Sequence, residues 1–248
     1  MRTQRVIAAI VLSSTLACLM VAVFLSASLG WPGAALTAAS GLAVYLLYVS
    51  ALGPWHRRWG STNEEVARPM PGDSIIENAA STTRAIGIAA PPKQVWPWLV
   101  QIGFGRAGWY SYDWIDNDGN PSANRIVPEL QNLQVGDTIE MVPGFGPSVV
   151  EMKPNQYFVA GDEKDGTWCL ALYPMAQGGT RLISRWRQKW VTKGVAARFF
   201  VLISDPGAFI MEQKMLREIK RKAEENGSLH QKAVDDDRYQ RSNSEIPV

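Results

Sequence analysis

Histidine and cysteine are scarce in this chain, two of each among 248 residues, and their placement removes whole classes of chemistry. His56 and His230 both fall outside residues 80–225, the stretch long enough to bury one core. Without an imidazole there, Ser-His-Asp and Cys-His nucleophiles and His-ligated zinc sites are excluded. Cys18 lies in an apolar run and Cys169 in a polar-patterned region. The two are not expected to pair, which suits a reducing compartment. Nothing near Cys169 in sequence would lower its pKa, so a buried structural thiol is expected. Net charge is only +2, too balanced for a dedicated nucleic-acid binder. Hydrophobic residues at 46% and charged residues at 19% rule out a disordered chain.

Acid is absent altogether from residues 1–60, which hold Arg2, Arg5, Arg57 and Arg58. Between Val6 and Trp55 there is no charged residue of either sign. That run is too long for one membrane span and suits two, broken at Gly30-Trp31-Pro32-Gly33. Spans over 6–29 and 34–52 would make helices of about 36 and 28 Å at 1.5 Å per residue, against a hydrocarbon core of about 30 Å. Ala34, Ala35, Ala38, Ala39, Gly41 and Ala43 would let the helices approach closely. Trp31, Trp55 and Trp59 fall where interfacial aromatics are expected. The run is too long for a cleaved signal peptide, and Thr15-Leu16-Ala17-Cys18 is a poor lipobox. With arginines outside both spans and an uncharged turn between them, the positive-inside rule puts both ends in the cytoplasm. The expected location is therefore the cell membrane, crossed twice.

Residues 60–80 carry Pro69-Met70-Pro71-Gly72 and read as a linker. Residues 226–248, with Asp235-Asp236-Asp237 and few apolar side chains, read as a disordered tail. A domain is expected over 81–225. It opens with a strand at 82–88, with Ile86 and Ile88 on one face, and then a helix begun by Pro91-Pro92. Val95, Leu99 and Ile102 form the helix's apolar stripe, which stops at Gly103. Residues 103–124 mix glycine, aromatics and aspartate and read as irregular. From 138 the period changes to two, giving strands at 138–142, 148–152, 157–161, 167–173 and 180–190 separated by hairpin-type turns. The last of these puts Leu182, Ser184, Trp186 and Trp190 on one face, with Arg181, Arg185, Arg187 and Lys189 on a solvated other face. Residues 206–225 make an amphipathic helix with the stripe Met211, Met215, Leu216, Ile219 and Ala223.

Strand, helix, antiparallel strands and one long terminal helix give an α+β domain whose sheet wraps that helix. This order, with the lead-in Ile88-Ala89-Ala90-Pro91-Pro92-Lys93-Gln94-Val95-Trp96-Pro97-Trp98-Leu99, resembles the START-like (SRPBCC) superfamily. That superfamily includes polyketide cyclases, lipid-transfer START domains and plant pathogenesis-related allergens. The chain is most similar to its bacterial membrane-anchored members. Matching runs are Gly105-Arg106-Ala107-Gly108-Trp109-Tyr110-Ser111-Tyr112-Asp113-Trp114, Ala123-Asn124-Arg125-Ile126, Pro128-Glu129-Leu130-Gln131, Thr180-Arg181-Leu182 and Phe209-Ile210-Met211-Glu212-Gln213-Lys214-Met215-Leu216. The resemblance covers roughly residues 80–225. It implies a helix-grip fold with a deep apolar cavity between sheet and terminal helix, and no single activity.

With imidazole absent, carboxylates, phenols and arginines are what such a cavity could use. Glu212 lies beside Met211 and Met215 at the margin of the apolar face, where a carboxylate needs a partner. Arg106 or Arg125 is the expected partner. The pair would be a structural lock or an acid–base site, with Tyr110 and Tyr112 as further catalytic candidates. Trp109, Tyr110, Tyr112 and Trp114, four aromatics in six residues, suit a pocket lid, an interaction surface or core packing. Trp109, Tyr110, Trp114, Trp168, Trp186, Met211 and Met215 are the expected ligand-binding residues. Asp113, Asp116 and Asp118 suggest an acidic metal loop, but the closing glutamate is missing. No metal or cofactor is expected. Two functions stay open: membrane-tethered binding or transfer of an apolar, lipid-like small molecule, or a cyclase/aromatase-type reaction in the same cavity. The expected partners are the bilayer and an apolar ligand, with no nucleic acid.

Overall fold

The computed structural model describes residues 2–176, 178–189, 194 and 204–227. The expected tail from 228 onward and Trp190 at the end of the last strand lie outside the described residues. At the N-terminus, α1 (Arg2–Leu29) and α2 (Trp31–Leu47) meet at Gly30, whose φ of 58° turns the chain back. The two helices pack together, and a Cβ on Gly33 would sit 2.2 Å from the Leu25 carbonyl oxygen. Only glycine permits that approach. After α2 come a π-helical turn (Tyr48–Leu52) and α3 (Gly53–Arg57). Pro54, with no N–H to return to the preceding turn, accounts for the widening there.

Among the described residues one helical run, Trp31–Arg57, is long and apolar enough to cross a membrane. The other expected span falls in α1, where the apolar stretch among residues with described side chains is Leu19–Leu29.

The domain that follows is built on five antiparallel strands. In chain order they are β1 (Ala80–Ile88), β2 (Val149–Lys153), β3 (Tyr157–Asp162), β4 (Gly166–Pro174) and β5 (Thr180–Gln188). Their order across the sheet is β1-β5-β4-β3-β2. The expected strand at 138–142 is instead a pair of isolated bridges, Thr138 to Ser148 and Val142 to Phe145. Pro143 and Pro147 remove the N–H groups a longer ladder needs. Helix α5 (Pro92–Val100) buries Val95 and Leu99, and a four-residue helix, α6 (Asp113–Asp116), interrupts the irregular stretch and lies against α1.

The last helix, α7 (residues 204–227), lies across one face of the sheet. Strand alternation divides the buried side chains cleanly. Phe158, Ala160, Trp168, Leu170, Leu172 and Leu182 join Met215, Leu216, Ile219 and Ala223 of α7 in the main core. Their neighbours Val159, Cys169, Ala171 and Ile183 point the other way, into a second core with Met70 and Ala85.

That second core corrects an expectation. Residues 60–79 are not a free linker. They form a strap across the outer face, beginning with α4 (Asn63–Ala67), whose Thr62 and Glu65 make a reciprocal capping box. A Cβ on Gly60 would lie 2.1 Å from the Ala85 carbonyl oxygen, so the strap starts by pressing its backbone onto β1. The arginines of β5, expected in solvent, are the strap's anchors. Arg181 binds the Glu65 carboxylate, and Arg187 reaches the Ile76 carbonyl at 3.0 Å. Arg185, buried to 3% exposure, donates to Thr83 Oγ1, the carbonyls of Glu65, Val66 and Arg68, and Asp73 at 2.7 Å. The proline-rich composition that suggests flexibility also leaves carbonyls free to accept, and the buried guanidinium collects them.

Candidate functional site

Between α7, the inner sheet face and the 109–116 segment lies a cavity of about 280 Å³. Its apolar wall is Trp168 and Trp186, stacked with ring centroids 4.8 Å apart and planes within 10°, faced by Met141, Met211 and Met215. The stack follows from register. Trp168 on β4 and Trp186 on β5 are directly opposite and share the inner face. Trp109 lies against Trp168 at 5.9 Å, closing the wall from the loop side. Five expected ligand-binding residues, Trp109, Trp168, Trp186, Met211 and Met215, therefore line one cavity, together with Glu212.

The other expected site residues lie elsewhere. Trp114 is 54% exposed on α6. Tyr110 is core: Gln101 Nε2 donates to its hydroxyl at 2.7 Å, Trp98 packs on it edgewise, and burial raises its pKa. Tyr112 carries the Lys214 ammonium 4.1 Å above its ring and does not line the cavity. Arg106 donates to the Val100 and Leu130 carbonyls, stapling its loop, and Arg125 is exposed. Neither meets Glu212.

Glu212 is buried and paired as expected, but its partner is Arg84 of β1. Ser184 Oγ donates to the other carboxylate oxygen, and Trp168 Nε1 donates to Ser184 Oγ at 2.9 Å. Arg84 and Ser184 are direct partners across the β1–β5 ladder, so the sheet register assembles the lock. The sequence carried the signal: Arg84 shares a strand face with Ile86 and Ile88, and Ser184 with Trp186. Because β1 and β5 are about a hundred residues apart, the loop arginines looked nearer than they are.

From Arg84 the polar contacts run outward to the apolar helix. Arg84 Nε donates to the His56 carbonyl at 2.9 Å, and its Nη2 stands 3.8 Å from Asp205 at the start of α7. Asp205 also accepts from Arg57 Nε at 2.8 Å and from the Tyr48 hydroxyl at 3.1 Å. Phe209 packs among Trp55, His56 and Trp59. The foot of the Trp31–Arg57 run is thus bound to the helix that roofs the cavity, with Asp205 both a cavity-lining residue and an anchor.

At the loop side stand residues that sequence reasoning missed. Ser111 and Asp116 line the cavity and are buried, and neither the Ser111 hydroxyl nor either Asp116 carboxylate oxygen has a hydrogen-bond partner. The Trp109 indole N–H is likewise buried and unpartnered. Burial, reinforced by the nearby Asp113 carboxylate, pushes Asp116 up to about 6, while the Ser111 hydroxyl and the backbone at Asp116 and Tyr112 pull the other way. Aspartates in an irregular loop give no periodic signal, and the spacing of these suggests only metal ligation. Among the described residues no group of three or more His, Cys, Asp or Glu could hold a metal ion. Cys169, on the outer face under the strap, is pushed up to about 12 by burial, which makes it inert.

No family model matches the chain, and no curated protein matches it in sequence. Solved structures similar to it include a Polyketide_cyc-like protein from Corynebacterium glutamicum, 18% identical, covering 59% of this chain and 92% of that one at a TM-score of 0.36. A conserved protein of unknown function from Enterococcus faecalis is 16% identical over 59% of this chain and 72% of its own, TM-score 0.36. DynU16, from the dynemicin biosynthetic locus, is 13% identical over 55% of this chain and 46% of its own, TM-score 0.34. The domain is a helix-grip α+β fold. That statement rests on its own strand order and on the helix gripped against the inner face.

Proposed function

We propose that this chain is a membrane-tethered module that binds an apolar, lipid-derived small molecule in the cavity between sheet and α7. The observation that carries the reading is the wall itself: two stacked indoles and three methionines around about 280 Å³. Thioether and indole surfaces adapt to apolar ligands of varied shape. The volume is near the lower bound of small-molecule sites, roughly 300–1,000 Å³. It suits a ring system or a short chain rather than a whole phospholipid.

Two contacts support a membrane source for the ligand. The roofing helix is bound to the Trp31–Arg57 run through Asp205 and Phe209, and α6, which contributes Asp116 to the cavity, lies against α1. With α1 as a second span and arginines at both outer ends, the domain stands on the cytoplasmic face of the bilayer. Reporters fused after Val248 test that: a cytoplasmic reporter is active and a periplasmic one silent, and the reverse overturns the topology.

The binding reading is tested by organic extraction of the detergent-purified full chain followed by mass spectrometry. A Met211→Trp variant, with its cavity filled, is the control. An apolar compound should accompany the wild type and be depleted from the variant. Identical extracts would contradict the reading. A cyclase-type reaction is favoured by one observation, Asp116, whose carboxyl titrates near 6, closer to neutral pH than an ordinary aspartate, inside the cavity. Glu212, already committed to Arg84 and Ser184, and Tyr110, committed to Gln101, are poorer proton carriers.

A further inference from the structure

The cavity's two polar ends differ in kind. At the sheet end Arg84, Ser184 and Glu212 satisfy one another. At the loop end Trp109, Ser111 and Asp116 line the same cavity, are all at least nine-tenths buried, and have four polar atoms without a partner. Buried polar groups in folded proteins are bonded with few exceptions, and exceptions grouped in a cavity mark where something else supplies the bonds.

We propose that Trp109, Ser111 and Asp116 form a recognition site for a hydroxyl group carried on a planar aromatic ligand. This rests on the cavity being a small-molecule site. The chemistry of the three groups selects the ligand's polar part. The Trp109 indole can only donate, the Asp116 carboxylate accepts, and the Ser111 hydroxyl can do either. A hydroxyl is the small group that answers all three, since its proton goes to Asp116 while its oxygen accepts from Trp109 and Ser111. An ammonium would leave the indole N–H unanswered, a carboxylate would meet Asp116 with like charge, and a bare hydrocarbon would leave all three unpaired. The aromatic surface that Trp186, Trp168 and Trp109 leave toward the cavity selects the ligand's body, because a flat ring fits against an indole wall. A hydrogen bond to a charged acceptor in a dry site is among the stronger neutral-ligand contacts, so the hydroxyl dominates selection among ligands of equal size.

The probes are naphthalene, naphthol and aminomethylnaphthalene, titrated calorimetrically into the full chain in detergent micelles, with empty micelles subtracted. The wild type should bind naphthol at least about tenfold more tightly than naphthalene. That ratio should fall to near one in Asp116→Leu, and should drop in Trp109→Phe, which deletes the donor and keeps an aromatic wall. The Trp109→Phe arm and the wild-type ratio stand even where Asp116→Leu fails to fold. Equal binding of naphthol and naphthalene by the wild type would overturn the assignment while leaving the apolar cavity intact. A preference for aminomethylnaphthalene would overturn it in favour of a cation site. Binding of none of the three would contradict the cavity reading itself, and the assignment with it.

Discussion

The two faces of the sheet bury the same kinds of group and resolve them oppositely. On the outer face Arg185 is ringed by three backbone carbonyls, Thr83 and Asp73, and the strap above it is fixed by those bonds. On the inner face the Arg84–Glu212 pair is just as closed, yet in the same cavity Asp116, Ser111 and Trp109 have buried polar atoms without a partner. A closed network fixes the fold; an open one of the same burial costs stability, and such groups tend to be kept for function. Burial alone therefore does not mark the site, and neither does a single unpartnered atom, since Arg68 Nε and Arg187 Nε on the outer face are also buried without one. Three such residues lining one cavity do.

The largest effect should come from opening the closed inner network. Glu212→Gln keeps shape but leaves Arg84 with the distant Asp205 as its nearest carboxylate. Removing one partner of a buried ion pair costs about 3–5 kcal/mol, readable by denaturant unfolding of the full chain in micelles. A loss below about 1 kcal/mol would make Glu212 an ordinary surface carboxylate.

Next is the pH dependence contributed by Asp116. Its carboxyl titrates near 6 when folded, against about 3.9 for an ordinary aspartate. A raised carboxyl pKa makes the folded state bind the proton more tightly than the unfolded state. Its contribution is thus fully present below about pH 4 and lost as pH rises to about 6, amounting to about 3 kcal/mol. Unfolding curves across that window should show this slope in the wild type and lack it in Asp116→Asn.

On the outer face, Arg185→Met should cost about 2–3 kcal/mol through its charge-assisted bonds. It should also make residues 60–79 newly sensitive to protease, the sign of a peeled strap. The smallest change is expected at Arg221, whose bonds to Glu218 and Glu225 lie exposed on α7. Arg221→Ala should shift stability by no more than about 1 kcal/mol.

These regions were unequally legible in the sequence. Trp168, Trp186, Met211 and Met215 followed from periods of two and 3.6, because each lies in a regular element whose face the core dictates. Glu212 was placed correctly as a paired internal charge but given loop partners, since its real partner depends on a β1–β5 register that local pattern does not encode. The strap was misread because its proline and glycine suggest mobility, while its order comes from carbonyls captured by arginines more than a hundred residues away. Asp116 was invisible as a site residue. It belongs to an irregular loop, and what distinguishes it is the lack of a partner, a property no sequence displays.

The comparison between the faces comes down to two aspartates. Asp73 answers Arg185 under the strap, and Asp116 faces the cavity alone. Changing each to asparagine removes one charge with almost no change in shape, and thermal midpoints of the two variants at pH 7 can be measured side by side in ligand-stripped protein. Asp73→Asn should lower the midpoint by leaving Arg185 uncompensated, and Asp116→Asn should raise it by relieving an unpaired buried charge. Shifts of the same sign would contradict the claim that one face is closed for stability and the other held open for a ligand.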